Sequence, residues 1–275
     1  MKTSILKIIL LIFIASASLY AQDSTAVKSD SIPSPPLIIG EKLTFKIRYG
    51  FIRAGTAEMK IMSLKDFEGK EAIHIQTTAR SVPAFNWIYK VKDVLNIYVD
   101  PQTLMPIYME KKLREGSYKA DLFINYSFQD SIAKGQFIRY RSDMSIRKEV
   151  NFDVPLKDKL YDVLSAFYYV RTQPLIVGEE IEVTAHEKKK VYDLQVKVYR
   201  KEIVDTEAGK FRCLVVEPLL KGEGIFKQKG RLTIWMTDDK YKIPVQMTSK
   251  VVVGHITTEL MKIEGLPKNI PSRVE

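Results

Sequence analysis

Three histidines, His74, His186 and His255, are the first residues to weigh, because imidazole titrates closest to neutral pH. Each lies in a segment that reads as a strand, and the three are far apart in the chain. Hydrolytic or metal chemistry would need two of them to converge beside a carboxylate. Without convergence they are separate wall or surface residues. Asp238 and Asp239, just after Trp235, could bind a hard cation or act as acid and base. The same Asp-Asp-Lys between two alternating runs is also what a hairpin turn requires, since Asp favours tight turns. Trp235 either closes a pocket or packs across strands. Arg171 follows Tyr168 and Tyr169 at the end of a helical stripe, where the helix dipole alone favours a cation. Enclosed by a curled sheet, it could face an acidic ligand group or pair with a buried carboxylate. Ligand-binding candidates are therefore Arg171, Tyr168, Trp235 and Tyr49, the last closing the first strand. No catalytic residue, metal ligand or cofactor is assigned. The P-loop, H-E-x-x-H, G-x-S-x-G and C-x-x-C motifs are missing from the sequence. Gly50 and Gly55 bracket a hairpin with a bulge rather than a phosphate cradle, because alternation rather than a helix follows them. Cys213, the only cysteine, reads as a small buried hydrophobe and excludes an internal disulfide.

These residues must be positioned mainly by strands. Leu43, Phe45, Ile47 and Tyr49 alternate with Thr44, Lys46 and Arg48, and similar two-residue periods recur along most of the chain. The longest regular run is Tyr118, Ala120, Leu122, Ile124, Tyr126 and Phe128. Short spacing between runs favours an antiparallel meander over βαβ units. One segment breaks the pattern: Leu160, Val163, Leu164, Phe167 and Tyr168 form an apolar helical stripe. The expectation is a helix over about Lys159 to Arg171, N-capped by Asp158 and followed by Pro174. About 13 strands with one helix predict a mainly β fold, a curled antiparallel sheet forming a barrel or half-barrel with the helix packed on its concave side.

The ends of the chain read differently. Lys2 and Lys7, an apolar run from Ile8, and small residues up to Ala21 have the form of a signal peptide, expected to span 1–21. The run is shorter than the roughly 20 apolar residues that cross a bilayer. No cysteine lies near the cut, so a lipoprotein is not expected. Residues 22–37, rich in Ser and Pro, read as a disordered linker, 38–265 as a single β-rich domain and 266–275 as a loose tail. No transmembrane segment is expected in the mature chain.

The whole 275-residue chain carries 43 Lys and Arg against 33 Asp and Glu, a formal charge of +10. The basic residues are spread over most strands, and Lys188, Lys189 and Lys190 form the only tight run, beside Glu187 at a hairpin tip. Nucleic-acid binders concentrate basic charge on one face of a recognisable module, so no nucleic-acid partner is expected. Anionic lipid headgroups or acidic polysaccharide fit an exported protein better.

Three ordered stretches carry a resemblance: GEKLTFKIRYGFIRAGTAEM from Gly40 to Met59, YDVLSAFYYVRTQPLIVG from Tyr161 to Gly178, and GRLTIWMTDDKYKIPVQM from Gly230 to Met247, followed by Gly254 to Leu260. Together they resemble the exported bacterial family known as domain of unknown function 3108. The resemblance implies a β-rich envelope protein and no particular activity. The YAQ end of the leader resembles exported proteins of Bacteroidota, pointing to a periplasm, with an extracellular location as the alternative. The leading functional expectation is a non-enzymatic binding or carrier module for a lipid or other apolar or amphipathic small molecule. The alternatives are a structural protein with an envelope protein partner, and an enzyme acting on envelope glycans or lipids, in which a histidine would meet an acid in a cleft.

Overall fold

The computed structural model describes residues 37–221, 231–251 and 254–274. The expected leader, and all of the expected linker except Leu37, lie outside the described residues. From Lys42 to Glu115 the chain builds β1 (Lys42–Tyr49), β2 (Ile52–Phe67), β3 (Lys70–Ser81), a short 3-10 turn and α1 (Asn86–Tyr89), β4 (Lys92–Val99) and β5 (Pro106–Glu115). Next come β6 (Tyr118–Ser127), β7 (Ile132–Tyr140), β8 (Ile146–Pro155), β9 (Tyr161–Asp162) and the main helix α2 (Val163–Thr172). The last part forms β10 (Glu180–Glu187), β11 (Lys190–Thr206), β12 (Gly209–Leu220), β13 (Leu232–Thr237), β14 (Pro244–Lys250), β15 (His255–Glu264) and β16 (Arg273–Val274).

All the strands belong to one 16-stranded sheet. From β1 to β8 it is a plain antiparallel meander, and from β15 back to β10 a second one. The two meet where β1 pairs with β15, Phe45 opposite Leu260 and Tyr49 opposite Ile256. Only β9, parallel to β10, departs from the antiparallel pattern. Strands β8 and β9 are free edges, so the sheet is not a closed barrel. It is nevertheless curled. Lys111 on β5 bonds Glu187 on β10, Tyr126 on β6 meets His186 on β10, and Lys188 and Lys189 lie over the rings of Phe137 and Phe152 on β7 and β8. The second half therefore reaches across the concave side of the first.

Alternation explains why these segments are strands. In β1, Leu43, Phe45 and Ile47 are buried while Thr44, Lys46 and Arg48 are half-buried on the other face. In β6, Ala120, Leu122, Ile124 and Tyr126 point inward. Gly50 takes the left-handed φ of +56° at the first position of a two-residue hairpin turn, where glycine is favoured. Gly55 lies so close to the facing strand that a Cβ there would sit 2.5 Å from the Arg80 carbonyl oxygen. Beyond the expected strands, two two-residue strands, β9 and β16, complete the set.

Helix α2 is buried nearly all round, with Leu164, Phe167, Tyr168, Val170 and Arg171 inside. It starts at Val163 rather than Lys159, and its N-cap is Asp162 rather than Asp158. Asp162 Oδ1 accepts from the backbone N–H of Leu164 at 2.8 Å and of Ser165 at 3.3 Å. The chain arrives as β9, held against β10, so the helix begins only where that pairing ends. A second difference lies at the C-terminus, expected to be loose. Ile270 and Ser272 are buried, and Arg273–Val274 pair with Lys210–Phe211 of β12.

The far end of α2 is fixed by an ion pair. The Arg171 guanidinium donates to both Glu41 carboxylate oxygens at 2.7 Å, and Nε and Nη2 also donate to the Tyr241 carbonyl at 3.2 and 3.0 Å. Both side chains are fully buried. A charge stripped of its partner in such a place is strongly destabilising, by roughly 3–5 kcal/mol, whereas an apolar pair of similar volume is often tolerated. Arg171→Met or Glu41→Gln alone is expected to lower the unfolding free energy by about that amount. The double variant Glu41→Leu/Arg171→Met should lose less than the sum of the single changes, as measured by urea denaturation.

Candidate functional site

A cavity of about 110 Å³ opens between the inner face of β1–β5 and the start of α2. Its walls are chiefly apolar: Phe45 and Ile47 of β1, Met59 of β2, Ala79 of β3, Met109 of β5 and Leu164 of α2. One side is different. Asp93, Lys111, Asp162, His186 and Glu187 also line it, and all five are buried.

Their positions follow from strand phase. Asp93 shares the inward face of β4 with Ile97 and Val99, and Lys111 and Glu115 share that of β5 with Met109 and Leu113. An inward charge must find a partner or neutralise. Lys111 Nζ donates to Glu187 Oε1 at 3.3 Å. Asp93 Oδ1 accepts the Arg114 N–H at 2.8 Å. Its other oxygen and Glu115 Oε1 have no donor, while the two carboxyl groups face each other. A proton held between them satisfies both. Burial, reinforced by the Asp93 charge, pushes Glu115 up to about 8, and burial pushes Asp93 up to about 6.

His186 Nδ1 is 3.0 Å from the Tyr126 hydroxyl, and its Nε2 has no partner. Burial holds the imidazole below its ordinary pKa and the Tyr126 phenol well above its own. Both are therefore neutral near pH 7. Asp162 faces His186 in the β9–β10 register, and its Oδ2 is likewise without a partner. No salt bridge among the described residues joins a histidine to a carboxylate. His74 instead meets Asn96 Oδ1 at 3.0 Å and stacks on Tyr98, and His255 is exposed at the start of β15.

The four residues singled out from sequence lie elsewhere. Arg171 and Tyr168 come together, the guanidinium 5.1 Å from the ring centre, in the core at the Glu41 end of α2. Trp235 on β13 donates its indole N–H to Glu202 at 2.5 Å, on the face opposite Ile234 and Met236. Tyr49 is half-buried at the end of β1, paired with Ile52 and Ile256. None of the four lines the cavity. Asp239 is a turn residue, accepting from Thr237, Tyr241 and Lys242, and also from the Ser272 N–H of the tail. Cys213 is buried, its thiol pushed up to about 12 by burial. Among the described residues no cluster of His, Cys, Asp and Glu could hold a metal ion, and no helix is long and apolar enough to cross a membrane.

An unclosed, curled antiparallel sheet around one buried helix places the molecule among β-barrel-like proteins. The chain belongs to the family described as "Protein of unknown function (DUF3108)", whose model matches residues 44–261. Among solved structures it is similar to a beta-barrel-like protein of domain of unknown function DUF1849 from Brucella abortus. That likeness has 11% identity and a TM-score of 0.50, covers 82% of this chain and 98% of that one, and concerns the fold alone. A candidate exported protein with a YmcC-like fold from Bacteroides fragilis aligns at 9% identity and a TM-score of 0.37, over 83% of this chain and 97% of that one. No curated protein matches the chain.

The carboxyl pair has a pH consequence with a definite sign. Carboxyls raised above their unfolded values, 3.8 and 4.5, retain a proton in the folded state that the unfolded chain has released. Their contribution is most favourable at low pH and is lost as pH rises through the window up to about 8. Lys111, Arg139 and the Tyr89 hydroxyl are the other ionisable groups close to the pair. The protein should lose stability from about pH 5 to about pH 8 more steeply than Glu115→Gln does, as measured by denaturant unfolding at each pH. Equal slopes would remove the shared proton from the account.

Proposed function

We propose that this is an exported, periplasmic binding module that seats the apolar end of an amphipathic small molecule in the cleft between β1–β5 and α2. The observation that carries the reading is the cleft itself: apolar walls that end in buried ionisable groups. Binding sites commonly combine an apolar lining with a few fixed polar groups. The ligand's apolar part would lie between Phe45, Met59 and Leu164, with its polar end beside Lys111 and Glu187. The size limits the class. A cavity of about 110 Å³ accepts an aromatic ring or a few methylenes, as dry cavities of roughly 150 Å³ accept benzene. A whole diacyl lipid does not fit, and the rest of such a molecule would remain outside. The basic, apolar and small-residue segments from Lys2 to Ala21 support export.

The test is direct. Protein made in its native envelope is extracted and the extract searched by mass spectrometry for a bound amphiphile. In parallel, dodecylamine, dodecanoate and dodecanol are added below their micelle concentrations and thermal unfolding is followed. At least one should raise the melting temperature, because a ligand of the native state stabilises it. Ala79→Trp, or the smaller filling change Ala57→Leu, should abolish that rise by occupying the cleft. An empty extract, together with no shift from any probe, would turn the reading toward a structural role.

A further inference from the structure

The sheet has an exposed apolar tip whose composition opposes its position. Phe51 occupies the second position of the two-residue β1–β2 turn, where polar residues and glycine are usual, and it is 101% exposed. Ile52 beside it is 59% exposed. The connection between β3 and β4 leaves the sheet at the same end, because β2 pairs antiparallel with both β1 and β3. It is fastened there by the Val82 N–H donating to the Ala54 carbonyl at 3.0 Å. That connection carries Trp87, 84% exposed, and Ile88, 56% exposed, on α1. Two neighbouring tips thus present four large apolar side chains to solvent, while Tyr89 of the same segment is turned in against Gly116.

The charges around these side chains have one sign. Residues 50–57 and 77–92 contain no Asp or Glu but do contain Arg53, Arg80, Lys90 and Lys92, all exposed. None of these four forms a salt bridge among the described residues. The nearest acid to Arg53 is Glu207, which is taken by Lys46 at 2.7 Å. The next acid along β4, Asp93, is buried behind the tip. Aromatic and aliphatic side chains at protruding tips, ringed by unpaired cations, match an anionic lipid surface: the rings enter the interfacial zone and the cations meet phosphate groups. A protein partner with the same complementarity would need a concave acidic surface, whereas a bilayer meets small, separated protrusions without one.

We propose that the β1–β2 and β3–β4 tips, through Phe51, Ile52, Trp87 and Ile88, dock the protein onto membranes rich in anionic lipid. The docking does not depend on the cleft binding a ligand. It would nevertheless bring the cleft to the bilayer, since Ala79 and Asp93 lie on the strands that end in this tip.

The chain has two tryptophans, so Trp235→Phe leaves Trp87 as the only tryptophan reporter. With vesicles of phosphatidylglycerol and phosphatidylcholine in equal parts, Trp87 emission should shift to the blue and be quenched by brominated acyl chains. Binding should fall at least about tenfold on pure phosphatidylcholine, and again on raising salt. In the Trp235→Phe background, Phe51→Ser/Ile52→Ser should cut binding by a similar factor with an unchanged melting temperature, since both residues are exposed. Arg80→Gln/Lys90→Gln should weaken binding chiefly at low salt. Every variant keeps the same N-terminal segment, so sedimentation through that segment alone would leave Trp87 emission unshifted and overturn the proposal. Equal binding to neutral vesicles would overturn it, as would a concentration-dependent dimer that Phe51→Ser abolishes. Failure here leaves the melting-temperature response to soluble amphiphiles intact; failure of the cleft reading leaves the Trp87 shift intact.

Discussion

The buried contact between Arg171 and Glu41 joins three parts of the chain that no strand pairing would bring to one point. Glu41 immediately precedes the central strand β1, Arg171 lies in the last turn of α2, and Tyr241 belongs to the connection between β13 and β14. The guanidinium fork suits this work because its planar donors can satisfy a carboxylate and a carbonyl at once. A hydrophobic contact would hold the helix end with less directional demand. The ion pair also selects one seating of α2 on the sheet, because a shifted helix would leave two charges buried and unpaired. The position of Leu164, and with it one wall of the cleft, follows from that seating together with the Asp162 cap at the opposite end.

Between those two fixed ends the interior is mostly solid. Residues from nearly every strand join one continuous core with α2. The cleft is the place where this packing is interrupted, and buried ionisable groups collect beside it. A core optimised for stability alone would put Leu or Val at positions 93, 111 and 115. Retaining Asp, Lys and Glu there instead carries a desolvation penalty that the Lys111–Glu187 contact and a shared proton only partly offset.

Strand order and the antiparallel meander were legible because hydrophobic alternation is a local property. In β1 and β6 the inward set can be read directly from the residues. Helix α2 was legible from its stripe, but its cap was not: Asp158 and Asp162 are equally good capping residues, and the choice depends on the pairing of β9 with β10. Arg171 was singled out correctly as a residue with an unusual environment, and a buried carboxylate was one of its two expected partners. Its identity as Glu41 was beyond reach across a separation of 130 residues. The polar side of the cleft left a signal that alternation can reveal. Asp93, Lys111 and Glu115 each fall on the apolar phase of an otherwise regular strand, so they break the period at inward positions. Trp235 and Tyr49 attracted attention by residue type alone, and type does not say which face of a strand a side chain occupies.

The seam between β1 and β15 has a temporal consequence. The strand nearest the beginning of the folded region acquires its second neighbour only after His255–Glu264 has emerged, close to the end of the chain. Until then the first meander can form, but it exposes the backbone donors and acceptors along one side of β1. Any polypeptide cut short before that segment would keep this side open and ready to pair with another copy. Maturation is therefore gated by the arrival of the last long strand, and an incomplete molecule is marked by its own unpaired edge.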